Sequence, residues 1–246
     1  PTPSDRPPLP DRLAWDLWLG PAPERPYHPI YHPFSWRGWW DFGSGALGDI
    51  GCHSIDWPYS ALELTSPTTV EASIARPGEG EDPMDVFPRA SLVHYHYPAH
   101  AGRPAVRLMW YDGGLIPPKP EWIPAEEPMG EGGTMFIGEK GCMMTTGGDP
   151  KIFPESLRDG YTPPAKTLRR VEVAHEMDWV EACKAGDVER PGCKFSYAGP
   201  LTETVVLGNL AVRYPMQTLK WDAETMTVTN HAEASEYVKM NYRKGW

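Results

Sequence analysis

Cysteine is scarce in the 246 residues: Cys52, Cys142, Cys183 and Cys193 lie far apart and form no C-x-x-C pair. That spacing excludes a zinc ribbon and a disulfide framework, and small buried thiols are expected instead. Positive charge is also in deficit. The 23 Lys and Arg against 33 Asp and Glu leave a formal charge of −10 with no basic run, which disfavours nucleic acid and anionic membrane surfaces as partners. No stretch approaches the ~18 consecutive apolar residues of a membrane helix. The opening PTPSDRPPLPDR has neither the basic nor the apolar region of a secretion signal. The chain as given is therefore expected neither to span a membrane nor to be exported, and its compartment is left open. Internal repeats and low-complexity linkers are missing too.

Proline and tryptophan are plentiful, with 29 and 11 residues, in a chain that is 40% hydrophobic and long enough to bury a sizeable core. The prolines crowd before residue 35 and between 117 and 165 in aromatic company, which implies stiff, ordered surface segments. PDRLAWDLWLG reads as a short helix capped by Asp11 and stopped by Gly20. A long aromatic loop, PAPERPYHPIYHPFSWRGWWDFGSG, follows, and loops of that length are commonly functional. Residues 46–64 suit a helix kinked by Pro58. TVEASIA (69–75), SLVHYHY (91–97) and AVRLMWY (105–111) alternate as strands, and GTMFIGEKGCMMTT (133–146) reads as a hairpin. Helices are expected over 173–186, stopped by Gly186, and over 199–214, with Pro200 in the first turn; a strand is expected near Thr225 to Thr229. This order predicts an α+β fold, an open, mainly antiparallel sheet with helices packed on one face. The expected organisation is one domain over 1–246: a leading segment (1–45), a site helix (46–64), then the sheet and later helices (65–246).

GALGDIGCHSID (45–56) sets Asp49, His53 and Asp56 among glycines and small residues. On a helix the steps from 49 to 53, 56 and 60 place Asp49, His53, Asp56 and Ser60 on one polar stripe. A carboxylate one turn before an imidazole can orient it and raise its pKa, which suits a general acid or base near neutral pH. Equally open is a structural role, His53 capping a loop and Asp49 favouring the helix N-terminus. D-x-x-x-H also supplies two metal ligands, but zinc needs a third and none can be nominated, so no metal is expected. The glycines Gly43, Gly45, Gly48 and Gly51 leave room for a ligand or for another backbone.

WRGWWDFGSGALGDIGCHSID closely resembles the signature of the substrate domain of the Gfo/Idh/MocA family of NAD(P)-dependent oxidoreductases. DLWLGPAPERPYHP and the closing YRKGW resemble the same family, so the likeness runs from about Asp11 to Trp246. The resemblance implies an enzyme acting on a sugar, inositol or polyol hydroxyl, with His53 as acid/base and Asp49 as its partner. It also implies a preceding Rossmann domain for NAD or NADP. No G-x-G-x-x-G follows an apolar strand here and the family's E-K-P segment is missing, so no cofactor-binding residues are assigned to this chain. It is expected to be the substrate half of a longer polypeptide and to bind the cofactor poorly alone. Two rival readings remain: a relative that cleaves glycosides by transient oxidation, and a non-catalytic carbohydrate-binding or scaffold module.

WRGWW offers Arg37 for hydroxyls or a carboxylate and flat indoles, Trp39 or Trp40, for a sugar ring, unless the tryptophans simply pin the loop. Asp56 is a further candidate for substrate contact or a structural neighbour. His94 and His96 share a strand face, EGEDPMD (79–85) reads as a solvated turn, and Met109, Met135, Met143 and Met144 as sheet-face packing. The family resemblance implies homo-oligomerisation through the open sheet face.

Overall fold

The computed structural model describes residues 2–246, and its contacts divide them into two compact units. One unit comprises the chain up to Pro117 together with Glu203–Trp246; the other is Pro118–Thr202.

The first unit begins with α1 (Trp15–Leu19), shorter than the sequence suggests. Ala14 occupies its N-cap without a side-chain hydrogen bond, so Asp11 is not the cap; Gly20 ends the helix with φ +54°. The aromatic loop then folds on itself. Arg25 lies over the rings of Tyr31, Trp39 and Phe42 at 5.2–5.9 Å and pairs with Asp41. Trp15 stacks on Trp18 at 4.5 Å and gives its indole N–H to the Arg25 carbonyl.

The expected 46–64 helix is two: α2 (Gly45–Ser54) and α3 (Asp56–Ala61). The break falls at Ile55, before Pro58 rather than at it. Proline lacks the N–H that would bond four residues back, and its ring crowds the carbonyl there, so it fits the opening turn of a new helix.

Strands β1 (Thr69–Ile74), β2 (Ser91–Tyr97), β3 (Val106–Tyr111), β7 (Leu219–Asp222) and β8 (Thr227–Val228) form a five-stranded sheet in the order β3-β2-β1-β7-β8, all pairs antiparallel. Alternation along β2 is complete, with Ser91, Val93, Tyr95 and Tyr97 buried and Leu92, His94 and His96 on the outer face. The helix α5 (Phe195–Arg213) covers the inner face of this sheet from Glu203 onward. Thr204 accepts a hydrogen bond from the Tyr97 hydroxyl at 3.4 Å, and Glu203 accepts one from the Trp221 indole at 2.7 Å. Gly208 lets α5 approach both the sheet and α2: a Cβ there would lie 2.0 Å from the Tyr95 hydroxyl and 2.4 Å from Leu47 Cδ2. α5 begins four residues earlier than the sequence reading placed it, so Pro200 sits inside the helix and not in its first turn. A last short helix, α6 (Ala232–Glu236), is capped by His231, whose Nδ1 accepts from the Ala234 N–H.

The second unit holds a separate three-stranded antiparallel sheet, β4 (Thr134–Gly138), β5 (Gly141–Thr145) and β6 (Lys151–Phe153). The expected hairpin is there, but it does not extend the main sheet. Its core gathers Ile123, Cys142 and Met144 with Trp122, Met129, Met135 and Phe153. α4 (His175–Ala185) stops at Gly186 in the left-handed conformation, as the sequence indicated. Asp178 is buried on this helix, ion-paired with Arg169 and Arg190.

Three of the four cysteines are exposed, Cys52, Cys183 and Cys193; only Cys142 is buried. This overturns the reading of all four as buried thiols. Cys52 falls on the solvent face of α2, whose packed side is Leu47 and Gly51, and Cys183 avoids the buried side of α4, where Asp178 and Ala182 lie. Among the described residues no helix is long and apolar enough to cross a membrane.

Candidate active site on the exposed face of α2

α2 is placed from below by α5 and from the side by the aromatic loop. Gly51 packs toward Val205, and the Asn209 amide donates to the Ser44 carbonyl at 2.9 Å, fixing the start of the helix. Gly45 has φ +62°, and a Cβ there would strike the Phe87 ring at 2.5 Å. At Gly43 a Cβ would meet the Arg37 backbone at 2.6 Å. These glycines thus admit the chain's own backbone and rings, one of the two uses their sequence left open. The approach at Gly43 sets the 3-10 turn Ser35–Gly38 against α2 and brings Arg37 to it.

Arg37 and Asp49 meet there. The Arg37 Nε lies 3.4 Å from Asp49 Oδ1, and its Nη1 donates to the Phe34 carbonyl at 3.0 Å. The guanidinium also lies over the rings of Phe34 and Trp36 at 4.2 and 4.9 Å. Both members of the pair are part-exposed, so the contact orients the side chains more than it stabilises the fold.

His53 follows one turn later, exposed and without a hydrogen bond or ion pair among the described residues. Side chains four apart on a helix have their Cβ atoms about 5–6 Å apart, so imidazole and carboxylate are neighbours. Asp49 nevertheless accepts its side-chain hydrogen bond from Arg37 and not from the His53 ring. The resulting face carries spare valences of three kinds: a guanidinium donor, a carboxylate acceptor and a titratable ring nitrogen.

The other candidates sit elsewhere. Asp56 opens α3, half-buried, where an acid favours the helix N-terminus; the stripe drawn on one continuous helix reaches only from Asp49 to His53. Trp39 is 4% exposed and edge-on to Tyr31 at 4.7 Å, within the packing of the loop. Trp40 stacks on Phe87 at 3.6 Å, donates its indole N–H to the Pro83 carbonyl and carries the Arg213 guanidinium at 4.9 Å. The Trp40 indole therefore holds the loop to residues 82–87, where Phe87 N–H bonds Gly38 and Trp40 N–H bonds Asp85. The acidic run is more than a solvated turn, since Asp85 also lies 3.9 Å from Arg25.

Nearby, burial and the charge of Glu203 push the Tyr59 phenol up to about 12, with Thr204 opposing. Its hydroxyl donates to the Thr65 carbonyl at 3.1 Å, a structural bond that locks α3. Sequence reasoning did not find Asn209, which lies 165 positions from the carbonyl it holds and carries no local signal.

Residues 3–98 match the family model described as the oxidoreductase family, C-terminal alpha/beta domain, GFO_IDH_MocA_C2. Over those residues the chain is similar to the C-terminal domain of that oxidoreductase family. The matched stretch runs from before α1 through β2 and so includes Arg37, Asp49 and His53. Its antiparallel sheet backed by helices is the α+β architecture expected from the sequence. No curated protein matches the chain significantly.

Proposed function

We propose that this chain supplies the substrate side of a redox site that acts on a sugar or polyol hydroxyl. His53 exchanges the hydroxyl proton. Asp49 accepts a hydrogen bond from a neighbouring hydroxyl, and Arg37 steadies that carboxylate while donating to the substrate. The observation that carries this reading is the pairing of part-exposed Arg37, on the 3-10 turn, with Asp49 on α2, one helical turn before the exposed His53, all inside the family-matched residues. An alcohol is oxidised only as its proton leaves, and an imidazole works as base near neutral pH.

The nicotinamide nucleotide that the family resemblance implies is not assigned to these residues. Every strand pair among the described residues is antiparallel, and no strand–glycine turn–helix crossover presents N–H groups to a pyrophosphate. We therefore derive only the proton-handling and binding steps, and take the dinucleotide to be held by another domain of the parent polypeptide.

The test is steady-state kinetics of that polypeptide with a panel of sugars and polyols, with and without His53→Ala and Asp49→Asn. Losing the acid/base should lower kcat by about 10²–10⁴-fold. Asp49→Asn, which keeps the shape but weakens the acceptor, should raise KM more than it lowers kcat. Unchanged turnover in His53→Ala would remove His53 from the reaction.

A further inference from the structure

A cleft of about 320 Å³ opens among α1, the aromatic loop and the chain's C-terminal tail. That volume lies at the lower end of small-ligand pockets, ~300–1,000 Å³. Trp18, Trp36 and Phe42 line it with half-buried rings, Asp41 contributes a carboxylate, and Met240 forms part of the wall. The indole N–H groups of Trp15, Trp40, Trp110 and Trp221 each find a carbonyl or carboxylate within the protein. Those of Trp18 and Trp36 have no hydrogen-bond partner among the described residues. Asp41 Oδ2 accepts from Arg25, and its side chain remains 25% exposed.

The occupant follows from that lining. A purely apolar guest would leave two indole donors and a carboxylate oxygen unmet, and an anion would face Asp41. A cation would find that carboxylate already neutralised by Arg25. A neutral ring with apolar C–H faces and hydroxyls at its edge satisfies rings, donors and acceptor together. Trp36 also connects the cleft to the α2 face: its ring lies under the Arg37 guanidinium at 4.9 Å, and Arg37 reaches Asp49 at 3.4 Å.

We propose that the cleft is a subsite for a second sugar ring, so that the substrate is a disaccharide or other glycoside whose reacting ring lies over α2. This rests on the reading of Arg37, Asp49 and His53 as the saccharide face.

The experiment is calorimetric titration of the 246-residue chain with methyl glycosides of glucose, galactose and mannose, and with disaccharides built on the same sugars. The extra ring should tighten binding about three- to ten-fold over the matching methyl glycoside. Trp18→Ala, which removes a lining ring with no contact to Arg37, Asp49 or His53, should abolish that gain while leaving methyl glycoside binding in place. Because Trp18→Ala also removes packing against Trp15 and Phe42, Met240→Lys provides a second variant: it alters a half-exposed residue and lets an ammonium pair with Asp41 and fill the cleft. Loss of the gain in both variants supports the subsite. Equal affinities for one and two rings, or a gain that survives both variants, overturn the subsite and leave the α2 reading standing. No binding of any saccharide overturns both.

Discussion

Tyr95 is fully buried under α5, and its hydroxyl has no hydrogen-bond partner among the described residues; burial raises its pKa well above the ordinary phenol value. An unmet buried hydroxyl costs stability, so Tyr95→Phe should leave the denaturant midpoint unchanged or raise stability by about 1 kcal/mol. Gly208→Ala should act in the opposite sense, because the new methyl lands on that hydroxyl and on Leu47. Overpacking of this kind costs about 1–3 kcal/mol, partly offset by alanine's better helix propensity. The double variant should recover part of the loss, since removing the hydroxyl frees the space. His94, on the outer face of the same strand, offers a pH test. Burial holds its imidazole below the ordinary value of 6.5, with Arg107 and His96 adding and Glu71 opposing. The unfolded chain therefore binds this proton more readily than the folded one. Its contribution to stability is whole above about pH 6.5 and declines as pH falls toward the lowered folded value. An NMR titration should place the His94 midpoint below 6.5, and His94→Gln should flatten the stability slope in that window; a midpoint at or above 6.5 contradicts the account.

Among the elements, α4 depends on one buried acid. Arg169 donates to both oxygens of Asp178 and Arg190 adds a third bond at 3.2 Å, which together hold the carboxyl down to about 2 against the opposing effect of burial. A depressed carboxyl contributes stability above its ordinary value near 3.8 and loses it as pH falls through that value toward 2. Asp178→Asn should lower the melting temperature of the second unit at neutral pH and remove this acid transition, read from the fluorescence of Trp179 on the same helix. The elements legible in the sequence are those whose signal is local. β1, β2 and β3 alternate strictly, and Gly186 sits where a helix must turn left-handed. The sequence predicts a kink at Pro58, and the break falls at Ile55 because the steric effect of proline acts on the residues before it. β7 is four residues long and β6 three, too short for periodicity to register, and which sheet the 134–145 hairpin joins depends on pairing that no local pattern encodes. At the candidate site the Asp49 and His53 spacing was legible, whereas the Arg37 contact was not, because it depends on Gly43 admitting the backbone of a turn twelve residues before Asp49.

At the scale of the whole molecule, the family-matched residues fall in the first unit, where α5 supports both the sheet and the helix that carries Asp49 and His53. That support is rigid. The sheet packs Val70, Val93, Tyr95 and Leu219 with almost no exposure, and α5 adds Thr204 and Ala211 in the same state. A site on a helix held this way is presented to solvent in one geometry, which is what binding a ring by several hydroxyls requires. The most direct measurement is a map of backbone amide shifts in the 246-residue chain during titration with the saccharide that it binds best. The account predicts the largest changes at Trp36, Arg37, Asp49 and His53, with the outer face of the five-stranded sheet unmoved. Shifts confined to that outer face, or to the second unit, would contradict it.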